Sequence, residues 1–400
     1  MTVFGTRPDT IKMAPLVQAL ELARPDVEPI VCVTAQHRNM LDDLLALFGI
    51  NPDYDLNVMR HNQTLTEITT RVLIGMEPVL KEARPDVVLV HGDTSTSSAA
   101  ALAAFYQQIS VGHVEAGLRT HNPWIPFPEE MNRRLTGRLS SYHFAPTSRA
   151  RQNLLAENIA PADVFVTGNT VIDAFLETAD RPLPVDPHEW SGLDALRPLI
   201  FVTAHRRENH DRMPAICEAL IQIVAHARRP QILWPVHPSP HVSSLVHNLL
   251  DGVPGIHLVA PMGYDSTVHS VARCRFVLTD SGGLQEEAPC LGKPVLVMRD
   301  ETERPEGLDA ETLRLVGSTC DRIVEAAQVL LENEHAYARM AHASNPYGDG
   351  NASRRIVAWL LARLRGAPMP HEFQAPEPLR AAASDELFSI SHPPGRRVAS

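Results

Sequence analysis

The chain has 400 residues, 44% hydrophobic and 21% charged, which is the balance of a folded protein with room for two compact domains. Its 36 basic and 47 acidic residues leave a net charge of −11, and aromatics make up only 5%. Such a chain is a poor general binder of nucleic acid or anionic membrane, although a local basic pocket stays open to it.

No apolar run approaches the roughly 18 residues of a membrane span, and the start, Met1-Thr2-Val3-Phe4-Gly5, does not read as a signal peptide. Five scattered cysteines, with no C-x-x-C spacing, argue against a disulfide framework or a zinc ribbon. Cys32 and Cys274 read as small core residues. The expectation is a cytoplasmic protein.

Short β-branched runs alternate with helical patterns. Strands are expected at Thr2 to Phe4, Ile30 to Thr34, Val87 to His91, Val111 to Glu115 and Val164 to Val166. Ile68, Val72, Met76, Val79, Leu80 and Ala83 form a helical stripe, with Pro78 predicting a kink or break. A loop with Pro182, Pro184 and Pro187 follows. Strands then resume at Leu199 to Thr203, Ile232 to Val236, Ile256 to Val259, Phe276 to Thr279 and Val295 to Val297. Continuous apolar strands alternating with helices imply parallel sheets covered on both faces. The fold class is therefore α/β, with two Rossmann-like doubly wound domains, expected at 1–168 and 169–365. The last helix, 351–365, is expected to pack on the N-terminal domain. Six prolines in 366–400 predict a disordered tail.

In such folds chemistry sits beyond the carboxyl ends of strands. After Val3-Phe4, the run Gly5-Thr6-Arg7-Pro8-Asp9-Thr10-Ile11-Lys12 offers helix-start amides with two cations, or simply a helix start with solvated cations. After Val90, His91-Gly92-Asp93-Thr94 offers Asp93 as a reacting carboxylate or as a helix cap. Glu115 ends a strand and has no obvious capping duty. Glu129 and Glu130 open a helix, where the dipole favours acids and Glu129 could pair with Arg133. In the second half, His205-Arg206-Arg207 follows a strand and suits a diphosphate. Asp280-Ser281-Gly282-Gly283 turns into a helix with exposed amides, and Glu287 one turn later could accept from a ribose diol. This run matches neither G-x-G-x-x-G nor a Walker loop. Arg304 could counter a phosphate or pair with Glu303 or Glu306. His237 and His241 have prolines between them and are not expected to share a helix face. No H-E-x-x-H or Gly-x-Ser-x-Gly occurs. Carboxylates in one half and an anion cradle in the other fit nucleotide-sugar chemistry.

These motifs occur together, in order, over nearly all of 2–365. They are GTRPDTIKMAP at 5–15, TAQHR at 34–38, HGDT at 91–94, HVEAGLRT at 113–120 and TGNTVID at 167–173. The second half adds TAHRRE at 203–208, DSGGLQEEAP at 280–289, TERPE at 302–306 and NPYGDG at 345–350. The chain resembles bacterial UDP-N-acetylglucosamine 2-epimerases of the non-hydrolysing type. The resemblance implies a GT-B-like pair of domains facing a cleft. It also implies reversible interconversion of UDP-GlcNAc and UDP-ManNAc by loss and re-addition of UDP through a 2-acetamidoglucal. Neither NAD nor a metal is required by that route, so no cofactor is expected. Carried over by position, Asp93, Glu115 and Glu129 are the acid/base carboxylates, with base and acid left unassigned, and His205 assists UDP departure. Arg7 and Lys12 lie near the phosphates. Ser281, Gly282, Gly283, Glu287 and Arg304 hold the nucleotide. The implied partner is the UDP-sugar, in a homodimer. Epimerisation of a related sugar, such as a 2,3-diacetamido uronic acid, and a silent UDP-sugar-binding module are the alternatives.

The chain departs from the family pattern in a few places. Relatives usually have a few more strand residues before Val3, a glycine shortly after Glu208 and Glu at position 9, and some have Gln or Glu where this chain has Asn39, near an allosteric UDP-GlcNAc site.

Overall fold

The computed structural model describes residues 1–35, 38–60, 62–182 and 188–375, with the side chains of 38–40, 240 and 241 excepted. Pro184, Pro187, Gln36, His37 and 376–400 therefore lie outside the described residues, as do the side chains of Asn39 and His241. The chain forms two units. The first comprises 1–181 with 346–375, and the second 182–345.

The first unit is built on seven strands: β1 (Thr2–Phe4), β2 (Val31–Val33), β3 (Tyr54–Asp55), β4 (Val87–His91), β5 (Ser110–Val114), β6 (Tyr142–Ala145) and β7 (Val164–Val166). Their order is β3-β2-β1-β4-β5-β6-β7, and every pair is parallel. Val3, Val88, Val90 and Val111 are buried, because helices cover the sheet. The stripe Ile68, Val72, Met76, Val79 and Leu80 is buried as expected, on the helix Leu65–Ala83. That helix continues through Pro78 instead of breaking. Pro78 and Ile74, whose carbonyl it leaves unpaired, both lie on the exposed side, where water can serve that carbonyl.

The first unit also holds the helix Thr170–Asp180, which packs on the helix Arg7–Leu22, so the observed division falls after Arg181 and not at 168. The last helix, Ala352–Arg365, belongs to it as well. Trp359 on that helix meets Tyr142, Phe144 and Phe165 at 5.0, 5.3 and 6.3 Å. The expectation of a disordered tail from 366 is corrected over 366–375. This stretch lies on the outer edge of β7, where the Phe373 N–H donates to the Val166 carbonyl (2.8 Å) and Glu372 pairs with Arg151 (2.8 Å). Prolines did not prevent docking because an unpaired strand edge offered partners.

The second unit has six strands: β8 (Leu199–Thr203), β9 (Gln231–Pro235), β10 (Ile256–Val259), β11 (Phe276–Thr279), β12 (Val295–Val297) and β13 (Leu313–Leu315). The order is β10-β9-β8-β11-β12-β13, again parallel throughout. Ile200, Val202, Trp234, Phe276, Leu278 and Leu296 form its core. Burial pushes the Cys32 and Cys274 thiols up to about 12, so both behave as inert core residues. Among the described residues, no helix is long and apolar enough to cross a membrane.

In each sheet the strand order reverses once near the centre, between β1 and β4 and between β8 and β11. In doubly wound folds ligands gather at such switch points, beyond the carboxyl ends of the strands. Both sets of candidate residues lie there.

Candidate active site

In the first unit, β1 runs into a turn at Gly5 that only a residue without a side chain allows. A Cβ there would lie 1.8 Å from the Thr34 hydroxyl oxygen. Thr6 caps the following helix by accepting from the Asp9 N–H, and Pro8 sits in its first turn. Arg7 is half-buried here, with no carboxylate partner among the described residues. One turn on, Lys12 reaches across to Glu115.

Glu115 follows β5 with φ at 61°, the left-handed region that costs a non-glycine residue energy. Its side chain is 5% exposed. Oε1 accepts from Lys12 Nζ (2.5 Å) and from Asn169 Nδ2 (2.8 Å). Oε2 lies 3.4 Å from His91 Nε2. Burial would raise this carboxyl, but Lys12, then His91 and the two hydrogen bonds outweigh it, and Glu115 is held well below the ordinary range. His91 is sealed between two carboxylates, with Asp9 Oδ1 at 3.6 Å from its other nitrogen. Gly92 (φ 60°) brings its backbone against Glu115, and a Cβ there would be 3.3 Å from Oε2. His113 fixes this turn by donating from Nε2 to the Gly92 carbonyl (2.7 Å), and burial, pushing it down to about 3, keeps it neutral.

Asp93 is not the helix cap. Thr94 takes that role by accepting from the Ser97 N–H. The Asp93 carboxylate instead receives Arg133 Nε and Nη2 at 2.9 and 2.7 Å, and its carbonyl receives Asn132 Nδ2 at 2.8 Å. Asp93 is thereby tied to the helix Glu129–Leu139. Arg133 therefore does not pair with Glu129. The structural carboxylate of the Glu129-Glu130 pair is Glu130, which is buried and accepts from the Thr120 and His121 amides and from Arg133 and Arg134. Glu129 keeps an enclosed oxygen, Oε2, without a hydrogen-bond partner. In a native fold such an atom calls for an explanation, and a reacting group is one.

In the second unit, β8 and β11 are joined at their carboxyl ends by the hydroxyls of Thr203 and Thr279, 2.5 Å apart. Asp280, fully buried, is the base of the site. Its oxygens accept from the His205 amide (3.1 and 3.0 Å), the Arg206 amide (2.9 Å) and Asn209 Nδ2 (3.0 Å). This shapes 204–209 into a loop that presents His205. The imidazole lies 3.2 Å from Asp280, is stacked on His237 at 6.0 Å, and is 40% exposed. Burial lowers its pKa, with Asp280 opposing.

Ser281 precedes the short helix Gly282–Glu287 without a side-chain cap bond, so its hydroxyl is not spent on the helix. Glu287 lies over Gly283, 3.5 Å from where a Cβ would be. The Arg206 and Arg304 guanidinium groups come within 3.4 and 4.0 Å of the Cβ position at Gly282. Arg304 pairs with Glu286 through its Nε. Glu303 meets Arg299 at 3.3 Å.

Lys12 and Glu115 are thus in direct contact, and Asp93 and Glu129 are linked through one helix. His205, Ser281, Gly282, Gly283, Glu287 and Arg304 converge on the carboxyl ends of β8 and β11. Reasoning from sequence assigned no role to Asn169, His91, Asp280 or Glu286, and gave Arg133 only a pairing with Glu129. Asn169 and Asp280 both follow apolar strands, so the strand-end criterion itself would have found them. No group of three or more histidine, cysteine, aspartate or glutamate side chains able to hold a metal occurs among the described residues.

The family profile described as UDP-N-acetylglucosamine 2-epimerase matches residues 20–361. The chain belongs to the UDP-N-acetylglucosamine 2-epimerase family. It is 54% identical to the UDP-N-acetylglucosamine 2-epimerase of Salmonella typhimurium over 364 residues, covering 89% of this chain and 96% of the relative. It is 51% identical to that of Bacillus subtilis, covering 90% and 94%. Among solved structures, the UDP-GlcNAc 2-epimerase of Neisseria meningitidis bound to UDP-GlcNAc matches with a TM-score of 0.81 and 47% identity, covering 90% of this chain and 98% of that one. A glycosyltransferase from Rickettsia africae, 12% identical with a TM-score of 0.61 over 92% and 99% of the two chains, shares the fold alone. The family's α/β, GT-B-like architecture is thus the architecture found here.

Proposed function

We propose that this chain is an isomerase that interconverts UDP-GlcNAc and UDP-ManNAc by reversible elimination of UDP. The observation that carries the reading is Glu115, a carboxylate kept ionised in a buried site at a strand end. Membership of the epimerase family and the identity to named epimerases support the choice of sugar nucleotide.

In the forward direction a carboxylate takes the proton from carbon 2. The carbon–hydrogen electrons form the carbon 1–carbon 2 double bond, and the bond from carbon 1 to the diphosphate oxygen breaks with its electrons leaving on UDP. The product is 2-acetamidoglucal. A second carboxylate then protonates carbon 2 from the opposite face as the UDP oxygen re-bonds to carbon 1. Two faces need two groups, and Asp93, Glu115 and Glu129 supply them. The carbon acid is weak, so the leaving diphosphate must be stabilised as it departs. His205, Arg7 and Arg304 do this, and Ser281, Gly282 and Gly283 bring hydroxyl and backbone amides to it. Glu287 accepts from the ribose.

Lys12 has a second part. While it donates to Glu115, that carboxylate is a poor base. An anion that competes for the ammonium relieves the depression, so basicity rises when the substrate's diphosphate is present. The resemblance supports a cytoplasmic homodimer, and the mass in solution, measured by light scattering, tests the dimer.

The deciding experiment incubates the folded enzyme with UDP-GlcNAc in deuterated water. Appearance of UDP-ManNAc with deuterium at carbon 2 is expected. Absence of both, with the protein folded and binding UDP, would refute the reading, and deuterium-labelled free ManNAc would indicate hydrolysis instead.

A further inference from the structure

The segment after the last helix does more than cover a strand edge. Beyond Gly366 the chain returns along the free edge of β7. The Phe373 N–H donates to the Val166 carbonyl at 2.8 Å, and the Val166 N–H donates to Glu372 Oε1 at 3.2 Å. Glu372 Oε2 takes Arg151 Nη1 at 2.8 Å. Both outward backbone groups of Val166 are thus satisfied by two consecutive residues.

Two residues past Val166 the chain turns at Gly168 (φ 83°). A Cβ there would be 3.2 Å from the Gly348 Cα and 3.6 Å from the Phe373 ring, so the turn is enclosed on two sides. Phe373 is 6% exposed. The Arg355 guanidinium lies 5.4 Å from its ring centroid and donates to the Thr167 carbonyl at 3.1 Å.

The next residue is Asn169. Its N–H donates to the Tyr347 carbonyl (2.7 Å), its Oδ1 accepts from the Val171 N–H (3.2 Å), and its Nδ2 donates to Glu115 Oε1 (2.8 Å). An amide side chain has one orientation that serves both the helix start and the carboxylate. That orientation depends on where the 167–169 turn sits, and Phe373 and Glu372 set the turn from outside.

We infer that Phe373 and Glu372 are positioning residues for Glu115, acting through the Gly168 turn and the Asn169 amide. The inference rests on the reading of Glu115 as a reacting carboxylate. A displacement well under 1 Å at such a group is enough to slow a reaction, because rate depends steeply on the approach of the reacting atoms.

A purely structural edge cover would lower stability and leave turnover per folded molecule unchanged. The test therefore uses a double-mutant cycle in the full chain, comparing Phe373→Ala, Asn169→Ala and the double variant. Phe373→Ala is expected to lower kcat about 5- to 10-fold, with KM and the Kd for UDP within about twofold of wild type. Phe373→Leu, which refills the volume, restores most of kcat. The double variant is no slower than Asn169→Ala alone, because both act on one contact. A folded Phe373→Ala enzyme with wild-type kcat, or a double variant slowed by the product of the single effects, overturns the inference. Should Phe373→Ala fail to fold, Glu372→Gln takes its place in the cycle. Its effect on kcat is expected to be about 2- to 4-fold, because the ion pair to Arg151 goes while an oxygen for Val166 remains. Loss of that effect in the Asn169→Ala background is the supporting result, and persistence overturns it. Wild-type turnover by Glu115→Gln would instead refute the reading of the site.

Discussion

The two groups of candidate residues, one in each unit, lie beyond the carboxyl ends of parallel strands and are built in opposite ways. Around Glu115 the polar groups are buried apart from part of the Lys12 side chain, and the carboxylate has its cation, its amide donor and its imidazole already in place. Around His205 the framework is buried, in Asp280, but the groups that would meet a ligand stay open to solvent. Arg206 faces its nearest carboxylate, Glu303, only at 3.9 Å. The contrast matches the chemistry proposed for each. Proton transfer at carbon needs a group whose position and charge are set before substrate arrives. A diphosphate brings its own charge, so its receptor is best left as exposed cations on a rigid base.

The largest break in this comparison is Glu115→Gln. The isostere keeps the volume and removes proton transfer, so deuterium incorporation at carbon 2 should fall by about 10²- to 10⁴-fold. UDP affinity, measured by calorimetry, should stay within about twofold of wild type. Collapse of UDP binding in the folded variant would mean that Glu115 supports the ligand and not the reaction.

Asp280→Ala should do the reverse. It leaves the His205 and Arg206 amides and Asn209 without their shared acceptor, at a cost of about 1–3 kcal/mol for each group left buried and unpaired. The second unit should melt earlier, and UDP should bind on the order of 100-fold more weakly as the 204–209 loop loses its shape. Unchanged UDP affinity in the presence of a lowered Tm would separate the loop from the nucleotide.

Lys12→Met sharpens the first half through pH. Because the folded Glu115 is held below its ordinary value of 4.5, its stabilising contribution is present above that value. It is lost progressively as pH falls from that value through the lowered folded value. Without Lys12 burial is less well opposed and the carboxyl moves up. The gap in urea stability between wild type and variant, about 1–3 kcal/mol, should be constant near neutrality. It should shrink as pH drops below the ordinary glutamate range. A gap that widens on acidification would show that Lys12 does not hold this charge.

How far the chain could be read in advance follows the same contrast. The buried strands declared themselves as apolar runs, and the chemistry lay at their ends. β3, β6 and β13 went unread because they are two to four residues long and carry Asp55, His143 and Arg314. His143 is tolerated in the sheet because it meets the Gly137 carbonyl at 2.8 Å, a partner no local pattern reveals. Glu115 stood out, but its environment did not. Lys12 and Asn169 lie 103 and 54 residues away, and only the fold brings them to one oxygen. The cap at Thr94 was missed in favour of Asp93 because both residue types cap helices well, and the tie from Arg133 to Asp93 decides between them. The docking of 366–375 was hidden for a similar reason. Composition describes what a segment does alone, not which strand edge awaits it.

Gly282→Ala gives the smallest effect and the finest test of the exposed half. Gly5 and Gly282 both follow strands at switch points, but they are glycines for different reasons. An alanine at 5 would collide with Thr34, so that glycine serves the fold. An alanine at 282 meets nothing closer than 3.4 Å, from the tip of the flexible Arg206 side chain, and needs no unusual φ. The fold should accept it, and the Tm should stay within about 1–2 °C of wild type, since surface substitutions away from strain and burial change little. What the methyl occupies is the space beside the Arg206 and Arg304 guanidinium groups, which the proposed reading assigns to a diphosphate oxygen. UDP affinity should therefore drop by about 10-fold, or about 1.4 kcal/mol, with uridine binding less affected. Unaltered UDP affinity would place the diphosphate away from this turn. A large loss of stability would show that Gly282, like Gly5, is there for the backbone.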